Sequence, residues 1–191
     1  MKKYLKVVLI VAPLAAVGVL SMRAYADGDW YERGRQSWFG RQFQRVDLAP
    51  ADNPDYLAEC GSCHMAYSPG MLPAASWDGV MRSLDRHFGD NAELEPEVAA
   101  RIGSYLERNA ADRVGSGRSP GIARSLQGAA PLRFTETAYF RAKHREIPPR
   151  LVGSNPAIGS FSRCEVCHGG ADKGNYDEDA VRIPGVGSWD D

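Results

Sequence analysis

Cys60-Gly61-Ser62-Cys63-His64 and Cys164-Glu165-Val166-Cys167-His168 hold all four cysteines of the chain. On one helical turn, residues i and i+3 lie on the same face. Two thiols at that spacing reach the two vinyl groups of one porphyrin edge, and an imidazole at i+4 then meets the iron from one side. The pattern therefore reads as two sites of covalent haem c attachment. Cys60 and Cys63 would carry one haem, Cys164 and Cys167 the other, with His64 and His168 as proximal ligands.

Other fates of such cysteines explain less. A disulfide within each C-x-x-C accounts neither for the following histidine nor for its repetition. A four-thiolate zinc site would join pairs 104 residues apart across a Gly/Pro-rich stretch. A thioredoxin-like redox pair needs a βαβ context, which the pattern lacks.

The chain has four histidines. Beyond the two motif histidines, His87 lies 23 residues after His64, and His144 lies 24 before His168. Each sits on an apolar helical face, so each is a candidate sixth ligand. Methionine is the rival. After residue 26 the chain offers only Met65, Met71 and Met81, all near the first motif. Met65 adjoins the proximal histidine and Met81 fits a core stripe. Met71, in a Pro/Gly-rich loop, is the alternative ligand for the first haem. Spacing also permits crossed ligation, with His144 on the first iron.

The elements that must position these residues read as helices. Asn53-Pro54 is a helix start, a capping side chain followed by Pro at the first helical position. That helix should run Asp55 to His64. Ser76 caps a second, with Trp77, Val80, Met81 and Leu84 on one stripe that His87 extends, ending at Gly89. A third starts near Glu95-Pro96 with Val98, Ile102, Tyr105 and Leu106 on one face. Ala110 to Gly121 reads as a linker without a buried face. Beyond it, a helix over about Thr135 to Glu146 carries Phe140 and His144 at i, i+4 and stops at Pro148-Pro149. A short helix, Phe161 to His168, delivers the second motif. The acidic tail from Gly169 reads as loop, and no strand alternation is convincing.

The predicted fold class is mostly α: two small helical haem-binding lobes with long loops and little or no β. The divisions are residues 1–26, 27–49, 50–112, 113–120 and 121–191. They correspond to a signal peptide, an aromatic and Arg-rich arm, a first lobe, a linker and a second lobe. The second lobe has about 71 residues, at the size where a core alone rarely suffices without a staple, and a covalent porphyrin supplies one.

Residues 1–26 read as an export signal. Lys2, Lys3 and Lys6 precede a 14-residue apolar run, Val7 to Leu20, and Ala24-Tyr25-Ala26 offers a cleavage site after Ala26. The run is short for a membrane span, so no span is expected after cleavage. Loss of this segment leaves 19 basic and 24 acidic groups. That balance argues against nucleic acid as a partner. The composition, 43% hydrophobic and 25% charged over 191 residues, excludes disorder as the main story.

The surroundings of the motifs resemble the dihaem cytochrome c (DHC) family. In the first lobe these are Ala58-Glu59 before the motif, Met65-Ala66-Tyr67 after it, Leu72-Pro73-Ala74-Ala75-Ser76-Trp77, and His87-Phe88-Gly89-Asp90-Asn91-Ala92. In the second they are Thr135-Glu136-Thr137, Phe140, Lys143-His144-Arg145-Glu146-Ile147 and Ala171-Asp172-Lys173-Gly174. The resemblance spans roughly Tyr56 to Pro184 and leaves the Arg-rich arm uncovered. It implies a periplasmic, mostly helical, two-lobed electron-transfer cytochrome with bis-histidine haems, its N-terminal lobe cytochrome-c-like. By motif position, His64 and His87 would serve the first haem iron, His144 and His168 the second. It also implies redox partners: a membrane b-type cytochrome, and a small oxygen-binding c-type haem protein that the cytochrome reduces.

Iron with both axial positions filled by imidazole exchanges single electrons and offers no open site. The chain is therefore expected to be an electron carrier rather than an enzyme, and a low-potential one. A dihaem peroxidase, or a small-molecule reductase or sensor, is the alternative. It requires one displaceable ligand, His87 or His144.

Overall fold

A computed structural model describes residues 46–189. The predicted signal peptide and most of the arm lie outside those residues. The described part is mostly helical. Its helices are α1 (Pro54–Glu59), α2 (Ala74–Met81), α3 (Pro96–Arg108), α4 (Ser119–Leu126), α5 (Ala138–Lys143), α6 (Pro149–Gly153) and α7 (Cys164–Cys167). One two-stranded antiparallel hairpin closes the chain, β1 (Arg182–Ile183) against β2 (Gly187–Ser188), with Arg182 opposite Ser188 and Ile183 opposite Gly187. No helix among the described residues is long and apolar enough to cross a membrane.

Helix α1 starts where the capping pattern places it. Asn53 Oδ1 accepts from the Tyr56 amide at 2.9 Å, and Pro54 takes the first helical position. The helix then tightens into a 3-10 turn over Cys60–Ser62 instead of continuing to His64. Helix α2 begins at Ala74, two residues before the predicted cap. Its first amide is held from a distance, by Asp112 Oδ1 at 2.9 Å, while the Ser76 hydroxyl is buried without a hydrogen-bond partner. Helix α2 ends at Met81, and the chain passes through a 3-10 turn, Leu84–Arg86, to His87. The predicted continuous stripe is therefore broken, and His87 stands beyond a turn.

Helix α3 lies where predicted. Ile102, Tyr105 and Leu106 are buried along one face. They join Tyr56, Leu72, Ala74, Trp77 and Ala110 in the first core, with Val98 packed on its edge. Arg101 of α3 pairs with Asp55 of α1 at 2.7 Å, and the Tyr105 hydroxyl donates to Asp52 Oδ1 at 3.0 Å.

The segment predicted as a bare linker is packed. Ala110 and Ala111 are buried, and α4 forms across Pro120, inside the stretch that read as a linker. Proline at a helix start loses no hydrogen bond, and Ser119, Ile122 and Leu126 then share a buried face. A second core joins Ile122 and Ala111 to Leu48 and Met71. The end of the predicted surface arm, Asp47-Leu48, is built in as well. Its amides bond to Gly174 O, its carboxylate pairs with Arg118 at 3.0 Å and accepts from the Tyr176 amide at 2.8 Å. Gly174 sits at φ +73, where a Cβ would run into Leu48 O.

Past Thr137, whose hydroxyl caps α5 by accepting from the Phe140 amide at 3.0 Å, the predicted helix lasts only to Lys143. A further helix, α6, starts on Pro149, the residue that read as a stop. The tail is not simply solvated. Val181 and Ile183 close a third core with Val152 and Ile158, against which Phe161, Val166 and Cys167 pack.

Candidate functional site

The two CxxCH motifs meet at one cavity of about 540 Å³. Cys60, Cys63, His64 and His87 line it together with Met71, Trp77 and Leu84. Residues Ser162 to Glu165, the entry to the second motif, form another part of its wall. The volume falls in the usual range for cofactor sites. Tyr67 spans the same region: its ring lies 5.1 Å from that of His64, and its hydroxyl donates to Ser162 O at 2.6 Å.

The structure brings the four histidines together in two pairs. The His64 and His87 ring centroids are 6.2 Å apart, and so are those of His144 and His168. Two imidazoles bonded to one metal from opposite sides at about 2.0–2.1 Å would have centroids roughly 6.3 Å apart. Both pairs thus have the spacing that an iron between them requires. His144 faces His168 rather than His64. Met71 is buried in the second core with Leu48, Ala111 and Ile122.

Each histidine is held by its own neighbours. His64 Nδ1 donates to Met65 O at 2.8 Å, and His144 Nδ1 donates to Phe140 O at 3.0 Å. A proton fixed on Nδ1 leaves Nε2 with its lone pair free to bind metal. His87 is aimed by the turn behind it. Phe88 adopts φ +55, an uncommon state for a non-glycine residue, and its ring meets His87 edge-on at 4.7 Å. The Arg133 guanidinium lies over the Phe88 ring, 3.8 Å from its centroid. His168 caps α7, its amide bonded to Cys164 O at 2.8 Å, and its ring contacts Tyr176 at 5.4 Å.

Burial favours the neutral, metal-binding form of His87, His144 and His168. It lowers the pKa of His87 and of His144, and brings that of His168 down to about 4, with the neighbouring His144 and Arg118 adding to the effect. The four cysteines are free of disulfides. Burial pushes the Cys60 thiol up to about 11 and Cys164 up to about 12, and raises Cys167. Such thiols lack the lowered pKa of a redox-active pair. Among the described residues, no three His, Cys, Asp or Glu side chains converge as a metal cluster, so the thiols do not gather into a zinc site.

The chemistry of this donor set fits a haem at each motif. Residue patterns had pointed to all four cysteines and all four histidines. They gave no role at the first site to Tyr67 or Phe88, whose ring contacts depend on the turns they sit in, and did not point to Arg133, which reaches Phe88 from 45 residues away.

Residues 56–176 match the family model described as dihaem cytochrome c. Among solved structures, the chain is similar to the new diheme cytochrome type c from Shewanella baltica OS155. The two are 48% identical over 72% of this chain and 98% of that one, with a TM-score of 0.60. It is also similar to a diheme cytochrome c from Rhodobacter sphaeroides, 38% identical over 68% of this chain and the whole of that one, TM-score 0.60. A structure of DHC purified from Rhodobacter sphaeroides matches at 36% identity over 66% and 99%, TM-score 0.53. No curated protein sequence matches the chain.

Proposed function

Because the chain belongs to the dihaem cytochrome c family, we propose that it is an exported one-electron carrier in which His64 and His87 hold one haem iron and His144 and His168 the other. The observation that carries this reading is the common 6.2 Å spacing of the two histidine pairs. Each pair combines a motif histidine with one from outside the motif. In this reading the first haem belongs to residues 50–112 and the second to 121–191.

A c-type haem with two imidazole ligands supplies Fe(III)/Fe(II) exchange with little ligand rearrangement and no vacant position for substrate. The residues of this chain do the rest. The four cysteines anchor the two macrocycles by thioether bonds. Met65 O and Phe140 O hold His64 and His144 in the tautomer that presents Nε2. The cavity wall shared by the two motifs brings the second attachment site beside the first haem, which favours transfer of electrons between the two.

The reading extends to residues 1–26 as a cleaved signal, to the periplasm as location, and to a membrane b-type cytochrome as donor. The acceptor is a soluble haem protein, a small oxygen-binding c-type one by the family resemblance, or a reductase. The excess of acidic groups in the tail, four from Asp172 to Asp179 against Lys173 and Arg182 before Asp190-Asp191, favours a basic docking face and a salt-sensitive rate.

The test is the optical spectrum of the purified holoprotein, with pyridine haemochrome quantitation and carbon monoxide added to the reduced form. Two covalent haems per chain, low-spin and binding little carbon monoxide, are expected. A high-spin band, or one equivalent of bound carbon monoxide, would mean a displaceable ligand and overturn the carrier assignment in favour of a peroxidase, reductase or sensor.

A further inference from the structure

The two histidine pairs share a spacing but not a twist. The planes of His64 and His87 are 14° apart, whereas those of His144 and His168 are 74° apart. The difference traces to what grips His144. Its ring lies face to face on Phe140, 3.9 Å between centroids and 16° between planes. Its Nδ1 donates to the main-chain carbonyl of the same residue. Phe161 closes the side edge-on, at 6.0 Å and 83°. Phe140 is buried in the first turn of α5 and cannot turn without leaving its own contacts with Phe134 and Phe161. The plane of His144 is therefore copied from Phe140, four residues earlier. His168 takes its plane from a different element, α7, and from its contact with Tyr176.

Plane orientation has an electronic consequence. An axial imidazole donates π density from the orbital perpendicular to its ring. Two parallel rings act on the same iron dπ orbital and split it from its partner. Two crossed rings act on one orbital each and leave the pair nearly degenerate.

We propose that Phe140 is a positioning residue that crosses the axial imidazoles of the second haem, so that the two haems of this chain are low-spin irons of different electronic symmetry. The proposal rests on the bis-histidine reading above. The first haem, with near-parallel rings, has a rhombic ferric state. The second has a highly anisotropic one.

The test is electron paramagnetic resonance of the frozen, oxidised holoprotein. One signal with three resolved g values and one dominated by a single large g value are expected, in equal amounts. Two rhombic signals would overturn the proposal and leave the bis-histidine reading intact. A high-spin signal would instead overturn that reading. Phe140→Leu keeps the carbonyl but removes the ring, and should move only the large-g signal towards rhombic. Phe140→Tyr keeps the stacking ring and should restore the original spectrum. An unchanged large-g signal in Phe140→Leu, or a change in both signals, would refute the role of Phe140. Phe140→Met, closer to Phe in volume, is read in the same way should the leucine variant lose haem. Loss of haem from both, with Phe140→Tyr normal, would make the ring a requirement for haem retention rather than orientation, and would also refute it.

Discussion

The hydroxyl of Tyr67 donates to Ser162 O at 2.6 Å, a bond between residues 95 apart that ties the turn after the first haem motif to the turn before the second. The same side chain lies against His64. It is thus a strut between the two attachment sites.

Tyr67→Phe keeps the ring against His64 and deletes the strut. A part-buried acceptor that loses its donor costs roughly 1 kcal/mol, up to about 3 kcal/mol where water cannot replace it. The expected result is a lower midpoint in urea unfolding with both haems retained. An unchanged midpoint would show that the bond carries no load.

His87→Met tests the pairing of ligands. Methionine in place of histidine on iron raises the reduction potential. One haem should rise and the other stay, in a spectroelectrochemical titration of the variant against the parent. If both moved, or neither, His87 would not be the ligand of one iron.

The double variant Cys164→Ala, Cys167→Ala removes the anchors of the second haem. Pyridine haemochrome should fall to half. The third core, built on Val152, Ile158, Val181 and Ile183, is small, and residues 121–191 should lose helix by circular dichroism. Native helix content in that variant would show that the region folds without its cofactor.

Glu178 gives a pH dependence with a definite sign. It accepts from Lys143 Nζ at 2.8 Å and faces Arg118 at 3.4 Å, and the Lys143 hydrogen bond is the main reason its pKa falls below the usual 4.5. A carboxylate whose folded pKa is depressed contributes stability above the unfolded value, and that contribution disappears as pH falls through the folded one. The window therefore lies below pH 4.5. Glu178→Gln should flatten that part of the fall of Tm with acidification. At neutral pH its effect should be small, because the pair is exposed to solvent. An acid limb identical to the parent's would remove Glu178 from the account.

Contiguous residues carried the chemistry, so the sequence alone determined it. The repeated pentapeptide sets the number of haems and marks the candidate anchors and one candidate ligand for each, because i, i+3 and i+4 are neighbours on any helical turn. Asn53-Pro54 likewise marked α1, since a cap acts within three residues, and the stripe of α3 marked its buried face. Whatever depended on distant partners was decided by the tertiary structure. Spacing left His144 open to either iron, and only the tertiary fold, which seats Phe140 and His144 against Phe161, set it opposite His168. Asp112 caps α2 from 38 residues away, and Pro120 opens a helix because the second core buries the face behind it. The twist between His144 and His168 is the plainest case. It comes from two elements oriented independently, one by a stacked phenylalanine and one by a helix cap, and no local pattern records the angle between them.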